Sequence, residues 1–171
     1  MSDSYSRTAN LLGALSLAVC ERLGRATAGD ELPASEPAAL VTLAHYPGQS
    51  VDDLARTLGL THSGAVRLVD RLEASGLVRR GPTDRGRTLA IRLTAKGSRA
   101  ANTVLGRRQE ALEELLRTLD ADRLGLLEAV SEQLLEALTT DRRSAHHICR
   151  LCDEGVCVRG AFCPVDRAVA D

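Results

Sequence analysis

The sequence predicts a mainly α-helical fold, in which a winged helix-turn-helix with a two-stranded wing lies between long N- and C-terminal dimerisation helices. Three features of the 171-residue chain predict this fold. Two short helical segments flank a turn at Gly59, two short strands follow them, and leucines at helical spacing mark long amphipathic helices towards both ends.

The first helix is predicted from apolar residues that recur on one helical face, namely Leu12, Leu15, Val19 and Leu23. It should end near Gly29. Pro33 and Pro37 mark a linker and the entry to a second helix over roughly 38–45, which Pro47 ends.

A helix-turn-helix is predicted next. Ser50 and Asp53 have the spacing of a capping box, so a third helix should run to about Leu58. Thr61 is a good N-cap for a fourth helix, which Gly76 ends. Its core-facing residues are Ala65, Leu68, Val69 and Leu72. The opposite side carries Ser63, Arg67, Asp70, Arg71 and Ala74. Such a small, cationic face suits a DNA major groove, although an ordinary surface helix also has a polar face.

A wing is predicted after this helix. Residues 77–80 form a short strand, 81–86 a turn and 87–93 a second strand. The residues of the second strand that should alternate inward are Leu89, Ile91 and Leu93. Arg85 and Arg87 lie at the tip beside glycine, where the hairpin is narrow enough to enter a minor groove, whose negative potential favours arginine.

Two further amphipathic helices are predicted after Thr94. Their apolar stripes are Ala111, Leu112, Leu115, Leu116 and Leu119, and then Leu127, Val130, Leu134 and Leu138. A lone winged helix of about 60 residues has too little core to cover them. With the first helix, they are expected to be buried in a symmetric homodimer.

Charge and composition favour duplex DNA as the partner. Residues 56–99 hold ten basic and three acidic side chains, whereas residues 100–141 hold four basic and nine acidic ones. Such a basic block is typical of a polyanion-binding module, with a solvated charged face as the alternative. Aromatic residues make up only 2% of the chain, so the stacking platforms that bind single strands are missing. The candidate DNA-binding residues are Thr61, His62, Ser63, Arg67, Arg71, Arg85 and Arg87.

The cysteines form a second candidate site. Cys149, Cys152, Cys157 and Cys163 have the spacing C-x2-C-x4-C-x5-C. In a cytoplasmic protein such clustering argues for metal or redox chemistry. Four thiolates would form a closed tetrahedral zinc site, while an iron–sulfur cluster, a thiol–disulfide switch and a mobile reactive tail stay open. We expect His146 and His147 in a solvated linker, and the distant Cys20 as a small buried residue.

The domain boundaries follow from these elements. We expect an N-terminal dimerisation helix, a DNA-binding domain, C-terminal dimerisation helices and a cysteine-rich metal-binding tail at 1–30, 34–97, 98–141 and 144–171. The short apolar runs and the absence of a basic leader predict a cytoplasmic protein without a membrane span. Lys96 stands against 21 arginines, a bias that favours a bacterial genome rich in GC.

Four segments together carry a resemblance to a known family. They are LARTLGL at 54–60, VRLVDRLEASGLVRR at 66–80, DRGR at 84–87 and IRLTAKG at 91–97. They resemble the MarR family of bacterial winged-helix transcription regulators, and the likeness extends over roughly residues 6–139. The resemblance implies a triangular homodimer whose two recognition helices enter successive major grooves of a pseudo-palindromic operator, about 10 base pairs apart. The wing departs from the family pattern Asp-Arg-Arg, since Gly86 separates Arg85 from Arg87.

The expected function is therefore that of a dimeric, sequence-specific DNA-binding transcriptional regulator, a repressor, modulated by metal or redox state at the tail. The alternative is a metal-binding protein–protein interaction module on a winged-helix scaffold. A small-molecule effector is left open. An enzyme is not expected, because the chain lacks His-Glu-x-x-His, Gly-x-Ser-x-Gly and phosphate-loop motifs, and a four-thiolate zinc site has no open position.

Overall fold

The computed structural model describes residues 2–28, 35–82 and 89–170, and it describes side chains from Tyr5 onward. The described residues form a mostly helical protein with one two-stranded antiparallel sheet, as the sequence predicts. The elements are α1 (Ser2–Ala28), α2 (Glu36–His45), α3 (Val51–Leu58), α4 (His62–Ala74), β1 (Val78–Pro82), β2 (Leu89–Leu93), α5 (Ala95–Leu116), α6 (Ala121–Leu138), α7 (Arg142–Cys149), α8 (Glu154–Cys157) and α9 (Pro164–Arg167).

The helix-turn-helix is held by caps that the sequence predicts. The Ser50 hydroxyl accepts a hydrogen bond from the Asp53 amide at 3.2 Å, and the Asp53 carboxylate accepts one from the Ser50 amide at 3.1 Å. Gly59 ends α3 with φ +66°, in the left-handed region that glycine tolerates best. Thr61 then begins α4, where its hydroxyl accepts from the Gly64 amide at 3.1 Å. The turn therefore fixes the angle between α3 and α4.

The core gives α4 its orientation. The four residues of α4 that were predicted to face inward, Ala65, Leu68, Val69 and Leu72, all have zero exposure. Leu68, Val69 and Leu72 pack in one cluster with Leu40 and Leu43 of α2, Leu54 of α3 and Ile91 of β2. Because this face is buried, the opposite face of α4 points to solvent.

The wing strands pair in the expected order. Val78 lies opposite Leu93 and Pro82 opposite Leu89. The far edge of β2 also pairs with the segment before α3, because the Gly48 amide donates to the Ile91 carbonyl at 3.1 Å and the Ile91 amide donates to the Gln49 carbonyl at 2.8 Å. The sequence did not predict this pairing.

One expectation for the wing is wrong. Leu89 was predicted to face inward but is 57% exposed, whereas its neighbours Ala90 and Ile91 are both buried. Leu89 pairs with Pro82 at the end of the ladder farthest from the core. The inner part of β2 packs against α2, α3 and α5, so strict alternation does not hold there.

The long helices leave apolar side chains uncovered. α1 packs along α5, where Arg22 Nε donates to the Ala111 carbonyl at 2.8 Å. No residue of α6 is buried. The large apolar residues exposed on α1 and α6 include Leu11, Leu12, Leu15, Leu17, Leu124, Leu126, Leu127, Val130, Leu134 and Leu138. Within the described residues, no helix is long and apolar enough to cross a membrane.

The C-terminal segment is folded against the rest of the chain. The Asp141 side chain caps α7 and accepts from the Ser144 amide at 2.6 Å, so the segment begins slightly before the expected boundary at residue 144. α7 packs on α3, and α9 packs on both α6 and α7.

Candidate functional site

The start of α4 carries the predicted recognition surface. Thr61, His62, Ser63 and Arg67 are all exposed. Thr61 is the N-cap, and His62 Nδ1 lies 2.6 Å from Asp52 Oδ1 on α3. The first turn therefore presents short polar side chains, which allow a close approach of the helix backbone to a ligand, and Arg67 follows on the next turn.

Arg71 is exposed on the same helix but has a structural partner. Its Nε donates to Glu36 Oε1 at 3.1 Å, and the Glu36 side chain is only 6% exposed. The guanidinium therefore neutralises a nearly buried carboxylate at the start of α2. A DNA contact by Arg71 stays a prediction, and the structure adds this second role.

Arg80 of β1 neutralises acidic groups on α4. Its Nη2 donates to Asp70 Oδ1 at 2.6 Å, and its other terminal nitrogen pairs with Glu73. Without this pairing, both carboxylates would repel a polyanion from the outer face of α4. Sequence reasoning did not single out Arg80, because its partners lie in a preceding element.

The two arginines predicted at the wing tip, Arg85 and Arg87, lie outside the described residues. The paired residues Pro82 and Leu89 mark the two ends of that segment. The wing contacts of both arginines stay predictions.

The four tail cysteines line one cavity of about 30 Å³. Its other lining residues include Tyr46, His146, Glu154 and Asp166. All four cysteines are free thiols. As the side chains of the described residues stand, no three His, Cys, Asp or Glu groups are arranged to hold a metal ion. The structure thus brings the predicted ligands to one place without a closed coordination shell.

Cys149 and Cys152 interact directly. The hydrogen bond from the Cys149 thiol, together with the nearby Arg108 guanidinium, lowers the pKa of Cys152 to about 6, and the same hydrogen bond raises the pKa of Cys149. Burial, together with the charges of Cys152 and Cys163, raises the pKa of Cys157. The cavity therefore favours a thiolate at Cys152 over one at Cys149 or Cys157.

Three histidines join the tail to the helix-turn-helix. His147 Nδ1 lies 2.9 Å from the Thr57 carbonyl at the end of α3, and its ring lies against Gly59. The His146 ring lies 5.1 Å from the Tyr46 ring, centroid to centroid. His45 Nε2 lies 3.0 Å from the Cys152 carbonyl. The expectation of a solvated linker at His146 and His147 is therefore wrong.

Tyr46 closes one side of the cavity. Its hydroxyl donates to Glu154 Oε1 at 2.5 Å, and burial together with this hydrogen bond raises the pKa of Tyr46. The distant Cys20, expected to be buried, is exposed on α1. Its helix packs on α5 through another face, so Cys20 has no cover within the protomer as described.

The central part of the chain is similar to known proteins. A model of the MarR family matches residues 31–87. The transcriptional repressor MprA of Escherichia coli K12 is 31% identical over 103 residues, which cover 58% of this chain and 58% of the repressor. The chain thus matches little more than half the length of that relative.

Solved structures extend the likeness over most of the fold. A MarR family protein from Bacillus stearothermophilus has a TM-score of 0.74 at 24% identity, covering 82% of this chain and 99% of that one. Wild-type MarR from E. coli has a TM-score of 0.63 at 21% identity, covering 74% and 96%. These similarities support the fold over most of the chain.

Proposed function

We propose that this chain, whose residues 31–87 match a model of the MarR family, is a dimeric, sequence-specific DNA-binding transcriptional regulator that acts as a repressor. The observation that carries the proposal is the exposed N-terminal half of α4. Small polar side chains occupy its first turn and Arg67 its second, on a helix held from behind by four fully buried residues.

This surface has the properties that groove binding requires. Short side chains at the start of a helix permit close approach to base edges, and an arginine one turn later reaches a guanine edge or a phosphate. Arg80 offsets the negative charge of Asp70 and Glu73. In the proposed complex, Arg85 and Arg87 enter the adjacent minor groove.

The exposed apolar faces of α1 and α6 support a homodimer. Leu17 is 75% exposed and Leu126 is 67% exposed, among the large apolar residues exposed on these two helices. So many exposed apolar side chains on two helices favour an interface, and two-fold symmetry would place two copies of α4 on one side of the dimer. We propose repression rather than activation because the relative MprA is a transcriptional repressor.

The test is duplex binding with matched arginine variants. Wild-type protein selects duplexes from a random library, and fluorescence anisotropy then gives Kd at several salt concentrations. We expect affinity to fall steeply with salt, because each neutralised phosphate releases counterions. Arg67→Ala should weaken binding about tenfold or more, which corresponds to about 1–3 kcal/mol. Arg85→Ala and Arg87→Ala should also weaken it.

Arg123→Ala is the control, because Arg123 has a 71% exposed side chain at the start of α6, away from α4. It removes the same charge and should leave Kd nearly unchanged. If Arg67→Ala and Arg123→Ala bind alike, α4 does not contact DNA as proposed. If the wild-type protein selects no sequence, regulation by operator binding is excluded.

A further inference from the structure

We propose that Cys149, Cys152, Cys157 and Cys163 bind one zinc ion, and that the bound ion holds the tail against the helix-turn-helix so that metal occupancy raises operator affinity. The second part rests on the proposed function. The first part concerns the tail alone and is tested without DNA.

The backbone of the tail places the four cysteines around one cavity. Cys149 ends α7, and the Cys152 amide donates to the Cys149 carbonyl at 2.8 Å, which folds the C-x2-C segment into a turn. Cys157 ends α8 and Cys163 is the N-cap of α9. The four side chains line the same cavity of about 30 Å³. Four thiolates at about 2.3 Å would close a tetrahedral shell around zinc. Because no three of the described side chains are yet arranged to hold a metal ion, the cysteine side chains would have to move to reach that geometry.

Arg108, a partly buried cation beside the cavity, supplies an independent observation. Arg108 of α5 has a buried Nε that no hydrogen-bond acceptor contacts in the described structure. Its Nη2 lies 4.0 Å from Cys152 Sγ. A zinc ion with four thiolates carries a net charge of −2, so it would give the guanidinium of Arg108 a stronger anionic partner than the Cys152 sulfur alone.

The tail connects the cavity to the helix-turn-helix through α3 and to the long helix α6. Cys149 and His147 share α7, and His147 reaches the Thr57 carbonyl at 2.9 Å beside the turn that begins α4. On the other side, Arg167 of α9 pairs with Glu136 of α6. A closed metal site would therefore fix α3 and its turn relative to α6. In a dimer joined through α6, this fixes the spacing of the two α4 helices, and such preorganisation raises affinity.

The first test measures metal content. Protein purified without oxygen is analysed by elemental analysis and absorption spectroscopy, and the apoprotein is titrated with cobalt as a spectroscopic probe. We expect one zinc per chain, no visible absorption from the zinc form, and the spectrum of tetrahedral cobalt thiolate after titration. Cys152→Ser and Cys163→Ser should lose the metal, while the control Cys20→Ser should keep it. Iron with sulfide, or a Cys149–Cys152 disulfide without metal, would overturn the proposal.

The second test measures coupling to DNA. Zinc-loaded and chelator-treated wild-type protein are compared on a selected operator duplex, with at least a fivefold loss of affinity expected on metal removal. His147→Ala should retain zinc. Its operator affinity should fall less than that of wild type when the metal is removed, because the variant lacks the contact to Thr57. Equal affinity of the two wild-type forms would overturn the coupling. Zinc binding without any DNA binding would instead refute the proposed function and leave the metal site standing.

Discussion

Arg67 and Arg71 lie one turn apart on α4, yet their surroundings differ. Arg71 pairs with the nearly buried Glu36, whereas Arg67 projects from an exposed position of the outer face. An arginine that neutralises a buried carboxylate stabilises the fold, while an exposed one is available to a ligand. The sequence places both on the same face and cannot separate these roles, because Glu36 lies 35 residues away.

Alanine variants of the two arginines should differ in their free energy of unfolding. Arg71→Ala leaves the Glu36 carboxylate unpaired and should lower the free energy of unfolding by about 1–3 kcal/mol. Arg67→Ala should change it by less than about 0.5 kcal/mol. Urea denaturation at one fixed protein concentration measures both, since the stability of a dimer depends on concentration. An equal loss in the free energy of unfolding for the two variants would show that the Arg71–Glu36 pair does not stabilise the fold.

Gly97 tests the packing of α5 against the wing. A Cβ at Gly97 would lie 1.9 Å from the Leu77 carbonyl oxygen, whereas at Gly106 on the same helix nothing lies within 4 Å. We expect Gly97→Ala to cost about 3 kcal/mol or more, because backbone must move. Gly106→Ala should add up to about 1 kcal/mol through helix propensity. Thermal unfolding monitored by circular dichroism compares the two, and a tolerated Gly97→Ala would contradict the close approach.

Local residue features were predictable from the sequence. The capping box of Ser50 and Asp53, the N-cap Thr61 and the buried face of α4 depend on neighbours within a few residues, so their spacing reveals them. The contacts of His147 with Thr57 and of Arg108 with Cys152 join distant parts of the chain. No periodicity encodes such pairs, which is why the histidines were wrongly expected to be solvated.

At the scale of elements, α1 and α6 expose apolar faces while α2 is almost wholly buried. The sequence predicted the leucine stripes because helical periodicity is a local property. It did not predict that residues 48–49 pair with β2, since that pairing involves two residues without strand patterning. The sequence did not predict that Leu89 faces outward, because the alternation of apolar residues along a strand does not indicate where the core ends.

Charge placed in these apolar faces should dissociate the dimer. Leu15→Glu on α1 and Val130→Glu on α6 put a carboxylate at positions that are 50% and 51% exposed in the protomer. Burying that charge at an interface is costly, so we expect monomers by sedimentation equilibrium where wild type sediments as a dimer. Glu128→Gln, exposed on the same helix, is the control and should remain dimeric. A wild-type monomer would remove the dimer from the proposal.

At the scale of the whole molecule, the winged helix, the long helices and the tail form one connected structure. The tail contacts α3 through α7 and α6 through α9. The basic stretch at 56–99 lies on the winged helix, and the acidic stretch at 100–141 lies on α5 and α6. In the proposed function, this separation of charge would direct a polyanion to α4 and the wing and away from the long helices.

The central claim is that two symmetric copies of α4 lie in successive major grooves of one duplex. Hydroxyl-radical footprinting of the selected operator tests it most directly. We predict two protected half-sites related by two-fold symmetry, with centres about 10 base pairs apart. At a protein concentration just above the wild-type Kd, Arg67→Ala should lose both protections. A single unsymmetrical footprint, or one that Arg67→Ala leaves unchanged, would contradict it.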